Sequence, residues 1–209
     1  MTTFVVFDLE TQRSADEVGG WGHIAEMKMA VGVVWDSSTE QYSVYLENQV
    51  FSLIDHLKKS DLIIGFNHIG FDFTVLSGYL KGETERQQFI QELKEHGNLD
   101  LLLDIKDRIG KRIKLESAAR ATLKVGKSAD GLESLKWYKE YLNGDEQKLQ
   151  MIIDYCKKDV EVTRDLYLHG IEKGEILYDD KIVGIKSIEV EWGESKPPEE
   201  NDSSTQLSF

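Results

Sequence analysis

The first strand and its acids lie at positions 3–11, which read Thr-Phe-Val-Val-Phe-Asp-Leu-Glu-Thr. Positions 3–7 form an apolar run rich in β-branched and aromatic side chains, which predicts a buried strand. Asp8 and Glu10 follow, and because side chains two apart on a strand point the same way, both should project together from its end. Two neighbouring carboxylates suit a hard divalent cation, which prefers oxygen ligands. The alternative to a cation site is that Asp8 caps a turn at the end of the strand and Glu10 is solvated, and this stretch fits both interpretations equally well.

Strands and helices alternate along the rest of the chain. Apolar runs predict further strands at 30–35, 41–46 and 62–66. Helical periodicity predicts helices at 51–59, 71–80, 131–141 and 145–169, the last ended by Gly170. Residues 99–103 fit either a fifth strand or the start of a helix, and two short strands, 175–178 and 182–188, close the body. This order predicts an α/β fold with a mixed sheet.

Composition and charge exclude several classes of protein. The chain has 209 residues, of which 40% are hydrophobic and 30% charged, as in an ordinary globular domain rather than a membrane or disordered protein. The apolar run at 4–7 is too short for a signal peptide or a membrane span. A net charge of −13 argues against a bulk-charge DNA binder. The single cysteine, Cys156, excludes an internal disulfide and favours a cytoplasmic location.

Two further stretches carry acids in suggestive positions. Asp72 follows the predicted strand at 62–66 and a turn that holds Asn67, at the end of a strand where α/β proteins place ligands. Tyr155 and Asp159 are four apart on the longest predicted helix and so share a face. Taken singly, each stretch is explained as well by structure alone: Asp72 complements a helix dipole, Asn67 serves a turn, and Asp159 is a surface acid.

Together the three stretches resemble the DEDD exonuclease superfamily, in its tyrosine-type branch, which has a ribonuclease H-like fold. The pattern is Asp-x-Glu on a first strand, Asn-x-x-x-Phe-Asp after a later strand, and Tyr-x-x-x-Asp on a late helix. The middle stretch is similar to proofreading domains of family B polymerases. The overall resemblance is to the YprB-like ribonuclease H-like group, whose features recur at 16–20, 121–123, 126–131 and 155–160.

The resemblance implies a ribonuclease H-like, five-stranded mixed sheet flanked by helices. It also implies that Asp8, Glu10, Asp72 and Asp159 bind two Mg²⁺ or Mn²⁺ ions and that Tyr155 orients the attacking water. The implied activity is 3′–5′ exonucleolytic hydrolysis of single-stranded DNA ends. An exoribonuclease of the ribonuclease D type is the alternative within this class, and a non-catalytic nucleic-acid tethering module is the alternative outside it.

Substrate contacts are expected in two places. Residues 105–127 hold eight basic and two acidic side chains, a net charge of +6 within an acidic chain, which favours a nucleic-acid backbone surface or, equally simply, a solvated face. Around the acids, apolar side chains should contact the terminal base. The expected substrate-binding residues are Leu9, Thr11, Asn67, Phe71, Lys111, Arg112, Lys114 and Lys127.

The C-terminal residues are expected to lie outside the folded body. We assign residues 1–192 to the nuclease domain and 193–209, polar, acidic and proline-containing, to a flexible tail. Its end, Gln206, Leu207, Ser208 and Phe209, resembles in shortened form the peptide by which bacterial proteins dock on the DNA sliding clamp. A tail without a partner accounts for these residues equally well.

Overall fold

A mixed five-stranded sheet forms the centre of the molecule. The computed structural model describes residues 2–125 and 131–193. The strands lie in the order β3-β2-β1-β4-β5, in which β1 is antiparallel to β2 and parallel to β4. Their bounds are β1 Phe4–Thr11, β2 Met29–Asp36, β3 Gln41–Leu46, β4 Leu62–Gly65 and β5 Asn98–Asp100. The predicted α/β fold with a mixed five-stranded sheet is confirmed.

Helices cover both faces of this sheet. Their bounds are α1 Val50–Leu57, α2 Asp72–Ser77, α3 Glu83–Glu95, α4 Leu101–Ile109, α5 Leu115–Leu123, α6 Gly131–Leu142 and α7 Gln147–Lys173. The sequence predicted either a strand or the start of a helix at 99–103, and the structure has both, because β5 ends at Asp100 and α4 begins at the next residue. Helices α3, α4 and α5 were not predicted as such. No helix in the described part of the chain is long and apolar enough to cross a membrane.

The alternation of side chains along β1 separates two cores. Val5, Phe7 and Leu9 pack in one apolar cluster with residues of α1, α2 and α3. Val6 belongs to the other cluster, together with buried side chains of α7. Since Asp8 and Glu10 follow Val6 at steps of two, they lie on the face of the sheet that α7 covers.

Gly170 does not end α7, contrary to the prediction. The helix runs on to Lys173 and is capped by Gly174, which has a φ of +68° and donates its N–H to the carbonyl oxygen of Gly170. Gly170 instead serves packing, because a Cβ placed on it would lie 2.3 Å from Cε3 of Trp192. The residue that resembles a helix stop is therefore the place where Trp192 fits against the helix.

The last two strands form a sheet of their own. Strands β6, Glu175–Asp180, and β7, Gly184–Glu189, pair with each other and not with the central sheet. Helix α5 holds β6 in place, since the Thr122 hydroxyl bonds both the N–H and the carbonyl oxygen of Leu177 at 2.8 Å. The division of the chain at residue 192 stays a prediction, because residues 194–209 lie outside the described part.

Candidate active site

Strand β1 carries two acids beyond the end of its parallel neighbour. The pairing with β4 covers only Phe4 to Val6, whereas the pairing with β2 continues to Thr11. The sequence predicted that Asp8 and Glu10 would lie at the end of the strand. In the structure both acids lie within it. Because β4 stops short, a cleft opens beside them at the carboxyl end of the parallel strands, where α/β proteins bind ligands.

Three carboxylates meet in this cleft. Single oxygen atoms of Asp8, Glu10 and Asp159 all lie within 4.8 Å of one another. Asp159 reaches the cleft from α7, the helix that covers this face of β1. The hydroxyl of Ser134, on α6, donates a hydrogen bond to Glu10. The acids of the first and last stretches, 149 or more positions apart in the chain, are therefore neighbours in space.

Asp72, the fourth predicted acid, is the first residue of α2 and is only 3% exposed. The backbone N–H of Leu9, between the two acids of β1, lowers the pKa of this carboxyl against the effect of burial. Its Oδ1 atom is buried and has no hydrogen-bond partner among the residues that the structure describes. A buried carboxylate oxygen without a donor is costly, and a cation would satisfy it.

The pKa values of all four acids are raised, chiefly by burial. Burial and the neighbouring charges of Asp72 and Asp159 hold the pKa of Asp8 well above its usual range. Burial raises the pKa of Glu10 to about 8, that of Asp72 to about 7 and that of Asp159 to about 6. Four charged carboxylates are thus unfavourable together in this cleft without a compensating cation. An all-oxygen donor set of this kind fits a hard divalent ion.

Tyr155 lies one helical turn before Asp159, and its hydroxyl lowers the pKa of that carboxyl against the effect of burial. Burial raises the pKa of Tyr155, so its hydroxyl stays protonated. The edge of its ring meets Trp137 of α6, with ring centroids 6.2 Å apart. The next residue, Cys156, is buried, and its Sγ lies 3.3 Å from the backbone oxygen of Asp8 and 3.7 Å from Oδ2.

Asp100 holds the loop that leads into Asp72. Its carboxylate accepts hydrogen bonds from the backbone N–H groups of Asn67, at 2.8 Å, and Ile69, at 3.1 Å, while it also caps α4. Asn67 has a φ of +73°, so the loop needs this external support. Asp100 therefore has a structural role in the site, which sequence reasoning did not identify.

The cleft has a volume of about 580 Å³ and an acidic floor. Of the predicted substrate contacts, Leu9, Thr11, Asn67 and Phe71 line it. The hydroxyl of Thr11 already donates to the carbonyl oxygen of Arg13 at 3.1 Å. Trp21 also lines the cleft and was missed; its only signal in the sequence is an aromatic residue directly after two glycines.

The predicted basic residues lie mainly beside the cleft. Lys111, Arg112 and Lys114 line a second groove, of about 490 Å³, between α5 and the β6–β7 hairpin. Lys111 is paired with Asp180 there. Arg112 donates a hydrogen bond to Asn67, a residue of the acidic cleft. Lys127 lies outside the described residues, as do Gln206, Leu207 and Phe209.

Comparison with known proteins agrees with this architecture. The family model for the ribonuclease H superfamily matches residues 5–170, which include all four acids and Tyr155. The chain belongs to the ribonuclease H superfamily. Membership supports a nuclease function and a nucleic-acid substrate, for which the acidic cluster could bind a metal.

A solved structure shows the same fold in a larger protein. The family B DNA polymerase from the hyperthermophilic archaeon Pyrobaculum calidifontis superimposes with a TM-score of 0.58 at 19% sequence identity. The match covers 83% of this chain and 24% of the polymerase, so this ribonuclease H superfamily member spans about a quarter of that protein's length. No curated protein matches the chain in a sequence search.

Proposed function

We propose that the protein is a metal-dependent 3′–5′ exonuclease that removes nucleotides from single-stranded DNA ends. One observation carries the proposal: the oxygens of Asp8, Glu10 and Asp159 converge within 4.8 Å in a cleft that Asp72 also lines. Asp72 has a buried carboxylate oxygen with no hydrogen-bond partner among the described residues. Raised pKa values in all four acids support a cluster that binds cations.

Asp8, Glu10, Asp72 and Asp159 would hold the metal, which we propose to be two Mg²⁺ or Mn²⁺ ions. When bound, such ions supply Lewis-acid chemistry, in that they acidify water and stabilise the charge that develops on a leaving oxygen. The protein's contribution is the fixed placement of the ligands on β1, α2 and α7. Ligands held by regular elements cost little reorganisation on binding.

Tyr155 is proposed to orient the attacking water. Its hydroxyl is protonated, points at Asp159, and is itself held by the contact with Trp137. Asn67 is proposed to donate to the substrate through its amide NH₂ group, because its Oδ1 is already occupied by Arg112. Leu9 and Phe71 line the cleft and are proposed to contact the terminal base.

The decisive experiment uses matched DNA and RNA oligonucleotides labelled at either end and incubated with Mg²⁺. A 3′–5′ exonuclease releases the 3′ label at once as a mononucleotide and turns the 5′-labelled strand into a ladder. EDTA should stop the reaction. Asp8→Ala and Asp159→Ala should each lower the rate of cleavage by roughly 10²- to 10³-fold. Preference for the RNA strand would favour the exoribonuclease, and binding without cleavage would favour the tethering module.

Asp154→Ala is the matched control for these variants. Asp154 is exposed on the same helix, where it accepts a hydrogen bond from Gln150, and it does not line the cleft. We expect wild-type cleavage from this variant. Undiminished activity in Asp8→Ala and Asp159→Ala would contradict the assignment of the site.

The proposed roles of the tail are tested separately. We propose that residues 193–209 form a flexible acidic tail and that Gln206, Leu207 and Phe209 dock on a sliding clamp in the cytoplasm. Removal of residues 206–209 should leave cleavage of short oligonucleotides unchanged and abolish the heat of binding to the clamp. A full-length protein that gives no heat with the clamp at high micromolar concentration would contradict this proposal.

A further inference from the structure

The loop between β1 and β2 forms one wall of the acidic cleft. Its base is closed by two backbone hydrogen bonds, from Gln12 N–H to the Lys28 oxygen at 2.9 Å and from Arg13 N–H to the Met27 oxygen at 3.2 Å. Beyond this base lie two short 3-10 helices, Asp16–Val18 and Trp21–Glu26. The loop includes the stretch at 16–20, to which the proposed function assigns no role.

Two contacts fix this loop on either side. Glu17 accepts hydrogen bonds from the N–H and hydroxyl of Ser14 and forms an ion pair with Lys139 of α6 at 2.6 Å. On the other side the backbone of Ala25 lies so close to α2 that a Cβ on Gly78 would come within 1.8 Å of the Ala25 oxygen. The loop is therefore held to the two helices that border the cleft.

Trp21 stands at the mouth of the cleft on this fixed loop. Gly19 and Gly20, with φ values of +91° and +114°, turn the chain directly before it. Trp21 remains 72% exposed, although it lines the cleft, and its ring centroid lies 6.4 Å from that of Phe71 at an interplanar angle of 60°. Leu132, at the start of α6, lines the same cleft and is 69% exposed.

The cleft thus combines an acidic, cation-binding floor with an apolar, aromatic mouth. A nucleotide has the same two parts, a charged phosphate and a flat base whose faces are apolar. Stacking of a base on an aromatic ring stabilises binding and tolerates any sequence, because every base has such a face. In a duplex, stacking covers these faces except for the outer face of the terminal base pair, so an unpaired end offers more free base surface.

We infer that Trp21, together with Phe71, forms a stacking subsite for an unpaired nucleobase next to the acidic cluster. Trp21 contacts the substrate directly and favours unpaired ends, whose base faces are free to stack on it. This inference rests on the proposed function, because it takes the cleft to be the place where nucleic acid binds. It adds a binding residue that lies outside the four acids, Tyr155 and the basic segment.

The test measures binding of a 5′-fluorescein oligothymidylate by anisotropy, with a phosphorothioate at the terminal linkage to slow cleavage. Trp21→Ala should raise Kd roughly 10-fold, on the scale of one lost base–aromatic stack. Trp21→Phe should keep most of the affinity, because it keeps a ring. The same oligonucleotide with an abasic 3′-terminal nucleotide should bind Trp21→Ala and the wild type equally well.

Phe51→Ala provides the matched control, since Phe51 is an aromatic residue of α1 that is 56% exposed and does not line the cleft. Wild-type Kd in Trp21→Ala, or an equal loss of affinity for the abasic strand, would overturn the inference, as would a wild type that binds no oligonucleotide. A wild type that binds but never cleaves, with affinity lost in Trp21→Ala, would uphold the stacking subsite and contradict only the proposed exonuclease.

Discussion

The guanidinium of Arg112 donates a hydrogen bond of 2.7 Å to Oδ1 of Asn67. This contact joins the basic segment to the loop that supplies Asp72, across 45 positions of sequence. Arg112 lines the basic groove and Asn67 lines the acidic cleft, so the pair marks where the two surfaces meet. Loss of the Arg112 side chain should therefore affect both the binding of a nucleic-acid strand and the placement of the loop that leads into Asp72.

Arg112→Ala and Lys114→Ala are expected to differ. Lys114 lines the groove without an ion pair to any described residue, so its loss should weaken binding of all sequences alike and reduce the salt slope by about 0.7. Arg112→Ala should do the same and also lower kcat, because Asn67 loses its partner. Lys94→Ala, an exposed cation on α3, is the control. Equal kcat values in all three variants would show that Arg112 has no role beyond charge.

Tyr155→Phe should lower kcat by roughly 10- to 1000-fold, the range of positioning and proton-transfer effects, with little change in Kd. The ring and its contact with Trp137 are kept, and only the hydroxyl that points at Asp159 is removed. Single-turnover kinetics and anisotropy measure the two quantities. Tyr141→Phe, on α6 beside Tyr138, is the control for loss of a tyrosine hydroxyl. A normal kcat in Tyr155→Phe would mean that Tyr155 only packs.

The stability of the metal-free protein should fall as the pH rises from 5 to 8. The folded-state pKa values of Glu10, about 8, and Asp72, about 7, exceed the ordinary values of 4.5 and 3.8, so folding favours the protonated acids. Their favourable contribution is complete below about pH 4 and is lost as the pH passes through the folded-state values. Calorimetry in EDTA should therefore show a lower Tm at pH 8 than at pH 5.

Mg²⁺ should restore the stability that the metal-free protein loses at pH 8. At pH 5, where protons already neutralise the four acids, Mg²⁺ should raise the Tm much less. Asp72→Asn should raise the metal-free Tm at pH 8 and reduce the response to Mg²⁺. Asp55→Asn, an exposed acid on α1, should do neither. Melting curves that are identical for wild type and Asp72→Asn under every condition would show that the acids do not share a site.

Gly170→Ala should destabilise the fold by about 1–3 kcal/mol, the usual cost of an overpacked core. The new methyl group would collide with Trp192. A domain of this size loses roughly 2–4 °C of Tm per kcal/mol, which calorimetry resolves. In a double-mutant cycle, Trp192→Leu should remove much of the penalty, so the two changes should not add. Strict additivity would place the cost of Gly170→Ala elsewhere.

Local patterns were sufficient to predict the central strands, whereas the grouping of the acids followed from the family resemblance of the three stretches taken together. β1, β2 and β3 are marked by apolar runs and a turn, and Tyr155 and Asp159 share a helix face by spacing alone. Helix α3 escaped prediction because Phe89 and Leu93 are its only buried residues. With so little apolar periodicity, a polar helix resembles a loop in sequence.

Features set by long-range contacts could not be predicted. Asp100 supports Asn67 and Ile69 only because β4 and β5 are neighbours in the sheet. Gly170 fits the pattern of a helix stop, and only Trp192, packed against it, reveals its role. Trp21 belongs to no periodic pattern in the sequence. Its position depends on the contacts that hold the β1–β2 loop to α2 and α6. In each case the deciding partner is far away in the sequence.

The four acids come from three elements, and the last of them, Asp159, lies late in the chain. A nascent chain that has exposed β1 and α2 but not α7 has two parts of the cluster and lacks the third. Proteolytic fragments that end before α7 lack it as well. Any activity that depends on the complete cluster therefore begins only when synthesis and folding have brought both ends of the domain together.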